Sequence, residues 1–186
     1  MDKQENLESL RTMISAVIYG LVVGDALGVP VEFEKRDTYS IIDMVGYGTY
    51  NQPPGTWSDD TSLTLALMEH LGEKSDLSIL IDKFVSYRDG YLTPFGYCFD
   101  IGIATNKAIE RYLSGISPEV CGGKDERSNG NGALMRISPL VFLLLKNFNL
   151  INQVKVIKKY TTVTHGHPRS IVASIIYFFL LKDMLF

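Results

Sequence analysis

Residues 57–61 read Trp-Ser-Asp-Asp-Thr, which sets a hydroxyl and two adjacent carboxylates at what reads as the mouth of a helix. Hard divalent cations such as Mg²⁺ take oxygen ligands of this kind, usually one or two carboxylates with waters completing the shell. The same residues also suit plain helix capping. Ser58 or Asp59 would then serve as the cap and Asp60 would complement the helix dipole. Three further groups could share the chemistry. Glu32 follows Pro30 in a loop, where a carboxylate can face a cleft or simply solvent. Asp100 stands ahead of a second helix, where it would serve as a plain N-cap. In Ser128, Asn129, Gly130, Asn131, Gly132 and Ala133, small and amide residues crowd ahead of a predicted helix, a pattern that offers backbone N–H groups to an anion or forms an ordinary flexible turn. The loop lacks the Gly-Lys-Ser/Thr ending of a nucleotide P-loop.

His165 and His167 lie two residues apart, but no third nitrogen or sulfur ligand stands at zinc spacing, so His165 reads as a hydrogen-bonding or stacking residue of a pocket. Asp25 falls on an otherwise apolar helix, where a carboxylate without partners is costly, so it should accept hydrogen bonds from nearby backbone groups. Gly24 and Gly28 flank it, and glycines in such positions mark close packing or a required turn.

These residues need a scaffold, and the dominant sequence period is helical. Leu7, Leu10, Ile14, Val17, Ile18 and Leu21 keep the spacing of one buried helix face. Further helices are predicted over 59–72, 76–88, 103–113, 133–146, 151–163 and from 168 to the end. The single strand-like stretch, 39–45, has no hairpin partner. The fold class is therefore all-α, with glycine-rich loops over 45–56, 90–102 and 115–132. The last helix is apolar nearly all round, so neighbours are expected to cover it on every side.

A chain of 186 residues suits a single domain, and 46% apolar with 21% charged residues argues against extensive disorder. A net charge of −3 without long runs of Lys or Arg argues against nucleic acid as the main partner. Cys98 and Cys121 show no metal spacing and read as reduced thiols of a cytoplasmic protein. The first eleven residues are too charged for a secretory signal. Residues 14–23 and 171–181 are apolar but are expected to be buried helices, with no membrane partner.

The order G-D-A-L-G-x-P-x-E, W-S-D-D-T, S-N-G-N-G-A-x-M-R and T-H, from Gly24 to His165, resembles the ADP-ribosylglycohydrolase family. The resemblance implies a compact all-α, multi-helix bundle and metal-dependent hydrolysis of the glycosidic bond between ADP-ribose and a modified acceptor. It implies that Ser58, Asp59 and Asp60 form the first half of a Mg²⁺ or Mn²⁺ site, with serine where threonine is more usual. Glu32 matches an acidic residue near the metals and Asp100 an acidic loop residue implicated in catalysis. Residues 128–133 would line the diphosphate and ribose, and His165 would contact the same ligand.

The family completes a two-metal site with a D-x-D-[ST] motif, which is not found in these 186 residues. The expectation is a single domain over 1–186 lacking the C-terminal part of the family domain. Partners would be ADP-ribose or an ADP-ribosylated protein, with a homodimer or a complementing chain meeting the apolar C-terminal helix. The alternative function is a catalytically impaired fragment that binds ADP-ribose or a protein partner.

Overall fold

The computed structural model describes residues 3–146 and 149–186. Its α-helices are α1 (Lys3–Gly28), α2 (Asp59–Glu73), α3 (Leu77–Arg88), α4 (Ile103–Leu113), α5 (Leu140–Leu143), α6 (Leu150–Thr162) and α7 (Pro168–Leu185). Among the described residues there is no strand, and the fold is all-α. Residues 39–45 are irregular, since nothing lies alongside to pair with them.

The core sits where α2, α3, α4, α6 and α7 meet. Leu63 and Leu67 of α2, Leu80, Ile81 and Phe84 of α3, Ile109 of α4, Ile157 of α6 and Phe178 of α7 are fully buried there. Helix α6 packs on α7, α2 on α3, and α1 reaches the rest chiefly through α2.

The predicted helix over 133–146 is a correction. Residues 132–136 form turns, and only Leu140–Leu143 is helical. Pro139 donates no amide, and the residue before a proline is pushed out of the α region, so a continuous helix breaks at Ser138.

The two apolar end helices are the second correction. Helix α7 is covered by α5 and α6, but Val172, Ile176, Leu180 and Met184 lie open along its far side. Only 11% of the most apolar 18-residue window of α1 is buried, and by length and composition this helix could cross a membrane. Neither is the buried helix its composition implies, because no described element lies over these faces. The end of α1 is anchored all the same, with Ala26 and Val29 buried.

Candidate active site

Helix α2 begins at the site. Ser58 is its N-cap, accepting the Asp60 amide at 3.4 Å, so the capping reading of this residue holds locally. The same serine is tied to α1. The Asp25 carboxylate accepts the Ser58 amide at 3.0 Å and hydroxyl at 2.7 Å, and the Thr61 amide at 3.0 Å and hydroxyl at 2.6 Å. Asp25 thus satisfies donors at the start of α2 that have no partner within the helix. It meets the expectation of a hydrogen-bonded carboxylate, although two of its four donors are hydroxyls.

Asp59 points inward and accepts the Gly102 amide, at the N-cap of α4, at 3.2 Å. Burial, reinforced by Asp100 and Asp60, holds its carboxyl well above the ordinary range. Asp60 is pushed up to about 6 by burial and then by Asp25, with the Ser58 hydroxyl opposing.

Glu32 is delivered by the 3-10 turn Val29–Val31 that ends α1. Thr49 clamps this turn. Its amide donates to Pro30 O at 2.9 Å and its hydroxyl to Glu32 O at 2.6 Å. The approach is so close that a Cβ on Gly48 would stand 1.7 Å from Pro30 O. Burial, followed by the charge of Asp100, raises the Glu32 carboxyl. Across from it, the Asp100 carbonyl is fixed by the Tyr87 hydroxyl and by the Cys98 thiol at 3.2 Å. Tyr50 lies beside both acids, and burial, followed by Asp100, raises its phenol. Tyr50 carried no signal in the sequence, since a tyrosine in a long loop has no diagnostic neighbour.

Glu32, Asp59, Asp60, Asp100, Gly130, Asn131, Gly132 and His165 line one cavity of about 300 Å³, together with Phe33, Thr105 and Arg127. Ser58 opens instead on an adjoining cavity of about 380 Å³, shared with Asp25, Glu32, Asp60 and Asn131. Ser128 is turned away and donates to Asp125 at 2.7 Å, Ala133 is fully buried, and Asn129 is not among the lining residues. The loop over 128–133 does not lead into a helix, so the helix N-terminus expected behind it is absent among the described residues.

Arg136 holds the loop from beneath. It is 1% exposed, donates to Gly132 O and to Tyr160 O, and lies 5.1 Å from the Phe84 ring centroid. Burial lowers His165 to about 4, assisted by Arg136, which leaves a neutral imidazole. Its Nδ1 meets the Thr164 hydroxyl at 2.9 Å, and its Nε2 lies beside Gly130. His167 turns the other way, capping α7 through the Arg169 amide.

The donor chemistry suits a hard cation. Ser58, Asp59 and Asp60 offer oxygen donors, and burial with neighbouring carboxylates raises Glu32, Asp59 and Asp60, a cost that a divalent ion would relieve. Among the described residues no group of three or more His, Cys, Asp or Glu side chains is placed to hold a metal ion.

The helical fold gathers carboxylates and a glycine-rich loop around one cleft, and the comparisons specify the family. The ADP-ribosylglycohydrolase family matches residues 6–185, and the chain belongs to that family. It is 38% identical over 135 residues to the ADP-ribosylarginine hydrolase Tri1 of Serratia proteamaculans, covering 71% of this chain and 36% of that protein. It is 30% identical over 158 residues to the ADP-ribosyl-[dinitrogen reductase] glycohydrolase of Rhodospirillum rubrum, covering 81% and 50% respectively. A solved ADP-ribosylglycohydrolase-related protein complex superposes with a TM-score of 0.72 at 32% identity, over 90% of this chain and 54% of the other. The chain thus spans between about a third and a half of these relatives' lengths.

Proposed function

We propose that the cleft binds the ADP-ribosyl group of a modified protein, with arginine as the acceptor, and serves metal-dependent hydrolysis of the glycosidic bond at the ribose anomeric carbon. The observation that carries this reading is the single cavity that puts Glu32, Asp59, Asp60 and Asp100 opposite Gly130, Gly132 and His165. The arginine acceptor is drawn from the relative named an ADP-ribosylarginine hydrolase.

Cleavage at an anomeric carbon builds oxocarbenium-like charge, which surrounding carboxylates stabilise. Ser58, Asp59 and Asp60 would hold Mg²⁺ or Mn²⁺, which when bound orients sugar hydroxyls and water and polarises oxygen. Glu32 or Asp100 takes the proton from the attacking water. Glu32 suits the role because its raised carboxyl is a stronger base than an exposed glutamate. Backbone amides around Gly130 to Gly132, with the Arg127 guanidinium at the rim, receive the diphosphate and fix the reacting centre through remote binding energy. His165, neutral at physiological pH, offers Nε2 to the ligand without adding charge. Two unpaired thiols, Cys98 and Cys121, are consistent with a cytoplasmic setting.

That no three His, Cys, Asp or Glu side chains among the described residues are placed to hold a metal favours a second reading, in which the isolated chain binds ADP-ribose without turnover or needs a second chain to complete its metal site. The two readings separate in one assay: release of ADP-ribose from arginine- and serine-modified peptides by the purified chain, with Mg²⁺ or Mn²⁺ and with chelator. Metal-dependent turnover of the arginine peptide supports hydrolysis by this chain alone. Binding without turnover supports the second reading, and neither binding nor turnover sinks both.

A further inference from the structure

Phe33 follows Glu32 in the chain and holds a backbone φ of 65°, in the left-handed region that a bulky side chain adopts only at a cost. Its side chain does not offset that cost by burial, since Phe33 is 82% exposed. Strain kept at an exposed aromatic beside a candidate base is a mark of a functional position. Glu32, Phe33, Asp60 and Asn131 line both cavities of the site, so the ring stands where the two meet. Tyr50 approaches it edge-on at 6.3 Å between centroids, and Phe99 lies 5.3 Å from Tyr50. Phe33 is therefore the open end of an aromatic row that runs beside Glu32 and Asp100.

The two cavities differ in charge. The one of about 300 Å³ holds the glycine loop, Arg127 and the neutral His165. Among the described residues no Lys, Arg or His lines the one of about 380 Å³, where Glu34 and Tyr39 join Glu32 and Phe33. The first suits a diphosphate and the second a cation. Carboxylates alone would take any cation, but an open aromatic face favours a flat, weakly hydrated one. A guanidinium stacks on such a ring, whereas an ammonium holds its water more strongly. We propose that Phe33 selects the acceptor: its ring stacks on the guanidinium of an ADP-ribosylated arginine while Glu32 and Glu34 balance the charge. A neutral acceptor such as serine gains nothing there. This assignment rests on the ADP-ribosyl reading of the cleft and adds to it the residue that discriminates the acceptor.

Calorimetric titration of the chain in EDTA reads binding without turnover, with ADP-ribose, ADP-ribosyl-arginine and ADP-ribosyl-serine as probes. The arginine conjugate should bind about 10-fold more tightly than ADP-ribose, within the range of a partly desolvated cation–π contact, and the serine conjugate no more tightly. Phe33→Leu should remove most of that preference while changing ADP-ribose affinity less than about 2-fold, and Phe33→Tyr should keep it. Phe33→Gly should also remove it without lowering the melting temperature of the free chain, because glycine accepts the left-handed backbone. Absence of ADP-ribose binding overturns the ADP-ribosyl reading and this assignment with it. ADP-ribose binding without an arginine preference, or a preference that survives Phe33→Leu, overturns the assignment alone. So does a Phe33→Leu chain that loses ADP-ribose in step with the arginine conjugate, since the ring would then be only a structural support.

Discussion

The Asp25 carboxylate on α1 accepts both the amide and the hydroxyl of Ser58, at 3.0 and 2.7 Å, and so fixes the residue that starts α2. One carboxylate serves as a clamp between two helices and orients the Ser58 hydroxyl. Asp25→Asn keeps the shape but replaces an acceptor oxygen with a donor facing donors. Hydrogen bonds to a charged acceptor are stronger than neutral ones, so the substitution should cost about 3 kcal/mol in urea unfolding. Affinity for Mn²⁺ should fall with it. Unchanged stability would mean that the clamp carries no energy.

Gly48→Ala tests the support of Glu32. The new methyl would stand 1.7 Å from Pro30 O, so the turn that delivers Glu32 has to move. Overpacking of this kind costs about 1–3 kcal/mol, measurable by thermal unfolding. Gly55→Ala is no fair control, since Gly55 has φ of +78°. Gly72→Ala, with open space around it and an ordinary φ, should be neutral or stabilising.

Gly132→Ala tests the cavity itself. Its Cβ would meet His165 Cε1 at 2.8 Å and Thr105 Oγ1 at 3.0 Å, both facing the cavity. The expected outcome is at least a roughly 10-fold loss of ADP-ribose affinity by calorimetry, from about 1.4 kcal/mol of lost fit. The fold should survive, as read by circular dichroism.

His165 sets an acid limit on stability. Its pKa falls from 6.5 in the unfolded chain to about 4 in the folded one. Below pH 6.5 the unfolded state therefore binds a proton that the folded state refuses, and stability drops until pH reaches about 4. The full drop is up to about 3 kcal/mol. His165→Gln should flatten the stability curve between pH 6.5 and 4 while leaving the carboxylate-driven part. An unchanged slope would mean that the imidazole is not held neutral.

Much of this site is legible in the sequence because its parts are local. Ser58, Asp59 and Asp60 advertise a helix start, and α4 begins and ends where its apolar period does, at Ile103 and Leu113. What escaped depends on distant neighbours. Ser128 belongs to the glycine-rich motif, yet Asp125 draws its hydroxyl out of the cleft. Tyr50 gains its place only when the loops carrying Glu32 and Asp100 converge. The helix expected over 133–146 is cut to Leu140–Leu143 because the backbone obeys Pro139, which apolar spacing does not reveal. The open face of α1 was unforeseen for a related reason, since an apolar period shows that a face seeks cover without showing where the cover comes from.

The most direct test of the central claim is calorimetric titration of the chain with ADP-ribose, with and without Mn²⁺, alongside Asp59→Ala and Asp60→Ala. If Glu32, Asp59, Asp60 and Asp100 frame a metal-assisted ADP-ribose site, Mn²⁺ should tighten binding and each substitution should abolish that gain. Binding that ignores Mn²⁺ and survives both substitutions would contradict the account.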